Sequence, residues 1–213
     1  MSDKTLMAFI KELNKSVFTT AELVAVSGKS ASVVSQGLNF LQSQGLTFKV
    51  YHGIWSEGKT PPDPYSVIKY LFPKQRVYVS FTSALHLHSI IEQIPQTITL
   101  ASVAHTRKIK TAAGVFFIHH IEPSFFFGFD WKSDELDFLL AEPEKAMADC
   151  LYISAHKKNQ FSAFPELHFP KKFSFDKIES YLKKIKNENV VVYALKRLEK
   201  IKREHWKNKK KAI

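Results

Sequence analysis

Between Lys29 and Gln44 the chain carries Ser30, Ser32, Ser35, Gln36 and Asn39, and no charged residue from Ser30 onward. These side chains suit the edges of base pairs. Gln and Asn can bond bidentately to adenine, and Ser can bond a phosphate or a base edge. Lys29 ahead of the run, and Lys49 and Tyr51 beyond it, supply groups that reach phosphates. Further along, Arg107, Lys108 and Lys110 form a small basic cluster that could extend such a surface.

Other residue types invite catalytic readings that their spacing does not support. His86 and His88 are two apart in a helical stretch and point in different directions. His119 and His120 are neighbours on a strand and face opposite sides. With one cysteine and no second ligand pair at a metal-like spacing, no metal is expected. A metal-dependent nuclease built on Asp137, Glu142, Glu144 and Lys145 wants Glu and Lys two apart on one strand face. Here Glu142 and Lys145 are three apart across Pro143. Cys150 lies in an apolar helical pattern without a neighbouring base, which suits a buried thiol better than a nucleophile. No glycine-rich phosphate loop occurs among seven glycines. A protein without catalytic residues or cofactor is expected.

The elements that must position the first group are legible locally. Lys4 to Asn14 sets Leu6, Phe9, Ile10 and Leu13 on one helical face. Thr19-Thr20-Ala21-Glu22 offers a capping box for a short second helix that stops at Gly28. Ser30 caps a third helix running to about Gln44, with Ala31, Val34, Leu38 and Leu41 expected inside. Gly37 in its interior costs about 1 kcal/mol relative to alanine unless it admits a close approach. The period then changes to two: Leu46, Phe48 and Val50 alternate with Thr47, Lys49 and Tyr51 before His52-Gly53 turns into Ile54-Trp55. Three helices with a tight turn before the third, then a hairpin, predict a winged helix-turn-helix over 1–58. Its third helix has no charge, which leaves a protein-interaction module open beside DNA binding. Pro-rich residues 59–64 read as a linker.

Residues 65–213 predict a mixed α/β domain, so that the whole chain is α+β. Helices are expected at Pro64–Phe72 and Thr82–Ile91. Strands are expected at Arg76–Ser80, Thr97–Ser102, His105–Thr111, Gly114–Ile121, Phe125–Phe129 and Leu136–Ala141. Pro143 with Glu142 and Glu144 starts another helix through Ala146, Met147, Cys150 and Leu151. Two amphipathic helices close the chain from about 174, the last with Val191, Leu195, Leu198 and Ile201 inward. The charge is uneven: residues 157–213 hold 17 Lys/Arg against 6 Asp/Glu, an excess of 11, whereas residues 1–156 hold 14 of each. The basic quarter suits a polyanion, or is a solvated helix that aids solubility. No stretch approaches the roughly 18 apolar residues of a membrane span. Met1-Ser2-Asp3-Lys4 opens an amphipathic stretch, not a secretory leader, and a cytoplasmic protein without membrane contact is expected.

Two stretches resemble a known family. Residues 78–99, Tyr-Val-Ser-Phe-Thr-Ser-Ala-Leu-His-Leu-His-Ser-Ile-Ile-Glu-Gln-Ile-Pro-Gln-Thr-Ile-Thr, and 141–152, Ala-Glu-Pro-Glu-Lys-Ala-Met-Ala-Asp-Cys-Leu-Tyr, are similar to segments of AbiEi-type antitoxins. Gly114-Val115-Phe116-Phe117 and Phe126-Phe127-Gly128 fall in matching places, and the resemblance covers roughly 5–165. It implies the antitoxin of a type IV toxin–antitoxin pair linked to abortive infection of phage. Its winged domain represses its own operon by binding promoter DNA. Its C-terminal antitoxin domain counters a nucleotidyltransferase-like toxin without a stable complex. The DNA face carries over only as positions on the third helix and the hairpin. The Pro-Glu-Lys-Ala motif also has a purely structural reading as a helix start.

Overall fold

The computed structural model describes residues 4–132, 137–156, 161 and 163–211, the side chains of 208–211 aside. The chain is α+β and divides into two compact units. One is Met1–Lys74 with Lys110–Val115 and Glu135–Asp137; the other is Gln75–Ile109, Phe116–Asp134 and Phe138–Ile213. Among the described residues no helix is long and apolar enough to cross a membrane.

In the first unit, α1 (Leu6–Leu13) is capped by Thr5, whose hydroxyl accepts from the Ala8 amide. The chain leaves it through Asn14 in the left-handed region and forms β1 (Val17–Thr19). Thr19 then begins α2 (Thr20–Ser27) with a complete capping box: the Glu22 amide donates to Thr19 Oγ1 at 3.1 Å, and the Thr19 amide to Glu22 Oε2 at 2.7 Å. Gly28, at φ +64°, closes α2, and Ser30 caps α3 (Ala31–Ser43) by accepting from Val33. An antiparallel pair follows, β2 (Thr47–Tyr51) and β3 (Ile54–Glu57), and β1 joins the far edge of β3 to give the order β1-β3-β2. Ile10, Phe18, Leu23, Val34, Leu38, Leu41 and Trp55 form the core between helices and sheet. The Trp55 indole N–H donates to Thr20 Oγ1 at 3.1 Å, so the buried ring leaves no polar atom unsatisfied.

Several details differ from the sequence expectation. Ala31 is exposed, because the first turn of α3 projects beyond the core. The inward face of β2 begins at Thr47, not Leu46. Thr47 is buried and donates to the Leu38 carbonyl at 3.2 Å, while Leu46 is exposed. A register shift between Lys49 and Tyr51 breaks the simple alternation. β1 is too short to leave a periodic signal. The expected linker, 59–64, lies within this unit and leads into α4 (Pro64–Leu71), capped by Asp63, whose Tyr70 hydroxyl donates to the Val17 carbonyl at 2.6 Å.

The second unit is built on a six-stranded mixed sheet in the order β6-β7-β5-β4-β9-β8, of which the hairpin end of β6 and β7, Lys110–Val115, belongs to the first unit. Its strands are β4 (Val77–Val79), β5 (Ile98–Ser102), β6 (Arg107–Thr111), β7 (Gly114–His120), β8 (Phe129–Lys132) and β9 (Phe138–Ala141). β4 runs antiparallel to β5 and parallel to β9, and β5 runs parallel to β7. Helix α5 (Phe81–Leu87) follows β4, and α6 (Pro143–His156) lies buried among α5, α7 (Phe175–Leu182) and α8 (Glu188–Lys211). Burial on all sides explains why α6 lacks a clear polar face.

Here too the expectation needs correction. α5 ends at Leu87, where Ser89 takes a positive φ, and does not reach Ile91. Phe125–Phe129 is not a strand: Pro123–Phe125 is a single 3-10 turn, Gly128 has φ +74°, and the strand starts at Phe129. A Cβ on Gly128 would sit 3.1–3.2 Å from the stem of Lys145, and this close approach together with the positive φ favours glycine there. α8 turns Val190, Ala194, Leu198 and Ile201 inward, one residue away from the expected Val191 and Leu195. Val190 through Leu195 has no charged residue, so the sequence alone admits both stripes. Leu136, expected to start β9, lies outside the described residues.

Candidate nucleic-acid interface

Six of the predicted site residues lie on α3 or immediately before it. Ser32, Gln36 and Asn39 are exposed on its outer face, Ser30 is exposed at its cap, and Lys29 and Ser35 are half-buried. The face is less polar than its predicted residues alone suggest. Val33 and Phe40, 51% and 64% exposed, lie one turn to either side of Gln36. Phe40 was not among the predicted residues, although its place seven residues after Val33 puts it on the same stripe. Gly37 has a reason in the packing: a Cβ there would lie 2.6 Å from Leu6 Cδ2 on α1, so the missing side chain lets the two helices close up.

The hairpin holds the second group. Lys49 is exposed, with its ammonium 5.5 Å from the Trp55 ring centroid, a cation–π contact that restricts a flexible side chain. Tyr51 meets His52 edge-on at 5.1 Å. Against this strand lies the tip of the β6–β7 hairpin: the Ala112 amide donates to the Val50 carbonyl at 3.0 Å. The tip is shaped by Thr111, whose side chain accepts from the Ala113 and Gly114 amides at 3.1 Å. A shallow groove of about 370 Å³ runs between Lys49, Val50, Tyr51 and His52 on one side and Lys110, Thr111 and Ala112 on the other. Thus Lys110, one of the three basic residues of the second predicted cluster, joins Lys49 and Tyr51. Lys108 is exposed on β6, and Arg107 donates to Gln75 Oε1 at 2.6 Å.

The acidic residues of the nuclease reading are each engaged by cations or hydrogen-bond donors, Glu142 and Glu144 both by Lys177. Asp137 pairs with Lys69 at 3.0 Å. Glu142 accepts from Tyr181 at 2.6 Å and pairs with Lys177 at 2.9 Å, while Glu144 accepts from the Ser174 amide at 3.1 Å. Burial opposes ionisation of Glu142, but Tyr181 and Lys177 outweigh it and hold the carboxyl below its ordinary range. Burial and the Glu142 carboxylate push the Tyr181 phenol up to about 12. Lys145 is fully buried, paired with Asp149 one turn on, with its ammonium 3.5 Å from the Phe125 ring centroid. Asp149 also accepts from Ser80 at 2.6 Å and Tyr78 at 2.9 Å. Burial raises the Asp149 carboxyl and lowers the Lys145 ammonium, and their mutual attraction opposes both shifts. All four side chains of this quartet are buried, and it ties together the two stretches that carry the family resemblance.

The histidines are likewise engaged separately. A ring nitrogen of His86 is 3.3 Å from the Ile91 carbonyl and one of His88 is 2.7 Å from that of Ala141, while His119 stacks edge-on to Phe81. Among the described residues no three His, Cys, Asp or Glu side chains are grouped to hold a metal ion. Burial pushes the Cys150 thiol well up, away from thiolate reactivity. The phenylalanine run packs inward: Phe125 is buried against Tyr152, Phe126 meets Tyr78, and Phe127 meets Tyr181. Compared with known proteins, the chain matches no protein-family model and no curated protein.

Proposed function

We propose that the protein is an AbiEi-like antitoxin that also represses its own operon by binding promoter DNA. In this reading α1–α3 and the β1-β3-β2 sheet form a winged helix-turn-helix, with α3 in the major groove and the β2–β3 hairpin as its wing. The observation that carries it is the outer face of α3. Ser32, Gln36 and Asn39 stand exposed directly after the Gly28 turn, with Lys49 exposed on the following hairpin. Base edges are read by Ser32, Ser35, Gln36 and Asn39. Phosphates are met by Lys29, Ser30, Lys49 and Tyr51. The second unit counters a nucleotidyltransferase-like toxin in the cytoplasm without a stable complex. Its support is the resemblance of 78–99 and 141–152, two stretches joined through Asp149.

The test is binding of the purified chain to duplex DNA from upstream of its own gene, against a scrambled duplex, across a salt series. Selective, salt-dependent binding supports the repressor; equal weak binding to both duplexes removes it. Growth rescue on co-expression with the toxin encoded next to the gene checks the antitoxin half. A second reading, a winged-helix protein-interaction module, is favoured by the exposed Val33 and Phe40. It predicts a stable protein partner and no salt-dependent DNA affinity.

A further inference from the structure

We infer that the tip of the β6–β7 hairpin is a second half of the wing, and that the groove between it and β2 seats the sugar-phosphate backbone of duplex DNA. The inference rests on the reading of the first unit as a DNA-binding module and adds a contact surface to it.

Four observations lead there. First, the groove is assembled from segments far apart in sequence, residues 49–52 and 110–112, which the hydrogen bond from the Ala112 amide to the Val50 carbonyl locks edge to edge. This amide–carbonyl bond at 3.0 Å joins the turn of the β6–β7 hairpin to β2, so the two walls of the groove are tied together at that point. Second, the titratable side chains lining the groove are Lys49, Tyr51, His52 and Lys110, with no carboxylate among them. Every side-chain donor there suits an anion. Third, Lys49, His52 and Lys110 are exposed, and the contact of Lys49 with Trp55 reduces the entropy lost when it meets a ligand. Fourth, the groove is shallow and about 370 Å³, the shape for a strand lying across it and unlike the enclosed, mostly apolar pocket a small metabolite needs. Lysines on a strand edge also guard against aggregation, a role that requires neither a groove nor a partner strand.

Phosphate contacts position a protein on DNA without reading sequence. The groove therefore adds affinity and salt dependence, while α3 supplies discrimination. Each phosphate neutralised contributes about 0.9 to the slope of log K against log salt on duplex DNA.

The experiment uses the full chain and a 30-base-pair duplex selected by it from a random pool, with a scrambled duplex as control. Lys110→Ala and Lys49→Ala are each expected to lower the salt slope by about 1 on both duplexes and to leave their affinity ratio unchanged. Lys110→Glu is expected to weaken binding further, and thermal melting of all variants should match wild type. If the wild-type chain binds with a steep salt slope and Lys110→Glu does not alter it, the groove is not a phosphate site and the inference falls, while DNA binding by the first unit stands. If the wild-type chain shows no salt-dependent binding to any duplex, the underlying reading fails and the inference falls with it.

Discussion

At the scale of single residues, the two informative positions are one that faces solvent and one that never does. Gln36 stands at the centre of the outer face of α3, where an amide can bond both N6 and N7 on the major-groove edge of adenine. Gln36→Ala is expected to cost about 1–3 kcal/mol on the cognate duplex and much less on scrambled DNA, read by titration of both. An equal loss on the two would remove its base-reading role. Lys145 is the opposite case, a charge sealed in α6 and paired with Asp149, whose carboxylate also accepts from Tyr78 and Ser80. Lys145→Met strands the Asp149 carboxyl and is expected to destabilise the fold by about 3–5 kcal/mol in urea unfolding. The double variant Lys145→Met/Asp149→Asn removes the stranded charge and keeps an acceptor for Tyr78 and Ser80, so much of the loss should return. Glu142 gives the pH dependence. Its folded carboxyl titrates below the ordinary 4.5, because Tyr181 and Lys177 outweigh its burial. The stability it contributes is therefore complete above about 4.5 and declines as the pH falls through the lower folded value. Glu142→Gln should flatten that acid limb of a pH–stability profile.

At the scale of elements, what was legible is what local chemistry decides. Thr19 with Glu22, Gly28, and Ser30 each satisfy or redirect backbone groups within a few residues, and each boundary fell where those residues put it. What was not legible depends on partners distant in sequence. Three-residue β1 exists only because β3 offers it an edge, and the stripe of α8 could be chosen only once α6 lay beneath it. Gly128 reads as a loop glycine, yet a side chain there would crowd the stem of Lys145, which is distant in sequence. The candidate site divides the same way: the polar face of α3 follows from helical spacing, whereas the meeting of Lys110 with Lys49 does not. Gly37 shows how an element-level penalty is offset by packing. Gly37→Ala gains about 1 kcal/mol of helix propensity, but its methyl would meet Leu6 Cδ2 at 2.6 Å. In a Leu6→Ala background that conflict is gone, so there the same substitution should stabilise by about 1 kcal/mol. A double-mutant cycle in urea measures the difference, and strict additivity would show that the Leu6 contact does not matter.

At the scale of the whole chain, the decisive fact is where the charge lies. Residues 1–156 are balanced at 14 of each sign, and the net +11 is carried by 157–213. The outer face of α3 is uncharged, so under the proposed DNA-binding function discrimination and bulk attraction fall to different parts of the sequence. On α8, Lys196, Lys200, Arg203 and Lys207 recur at three- and four-residue intervals and are all exposed. A stripe of this kind raises affinity for any polyanion through counterion release, without regard to sequence. Replacing all four with alanine is therefore expected to lower affinity for cognate and scrambled duplexes by the same factor and to flatten both salt slopes. The ratio between the duplexes should not change. Gln36→Ala should do the reverse, reducing the ratio while leaving the slope nearly intact. If the fourfold variant binds both duplexes as wild type does, the stripe is a solvated face, and the cations of the first unit must supply the phosphate attraction alone. If it instead reduces the ratio, base discrimination is not confined to α3, and the assignment of reading to one helix and attraction to another is wrong.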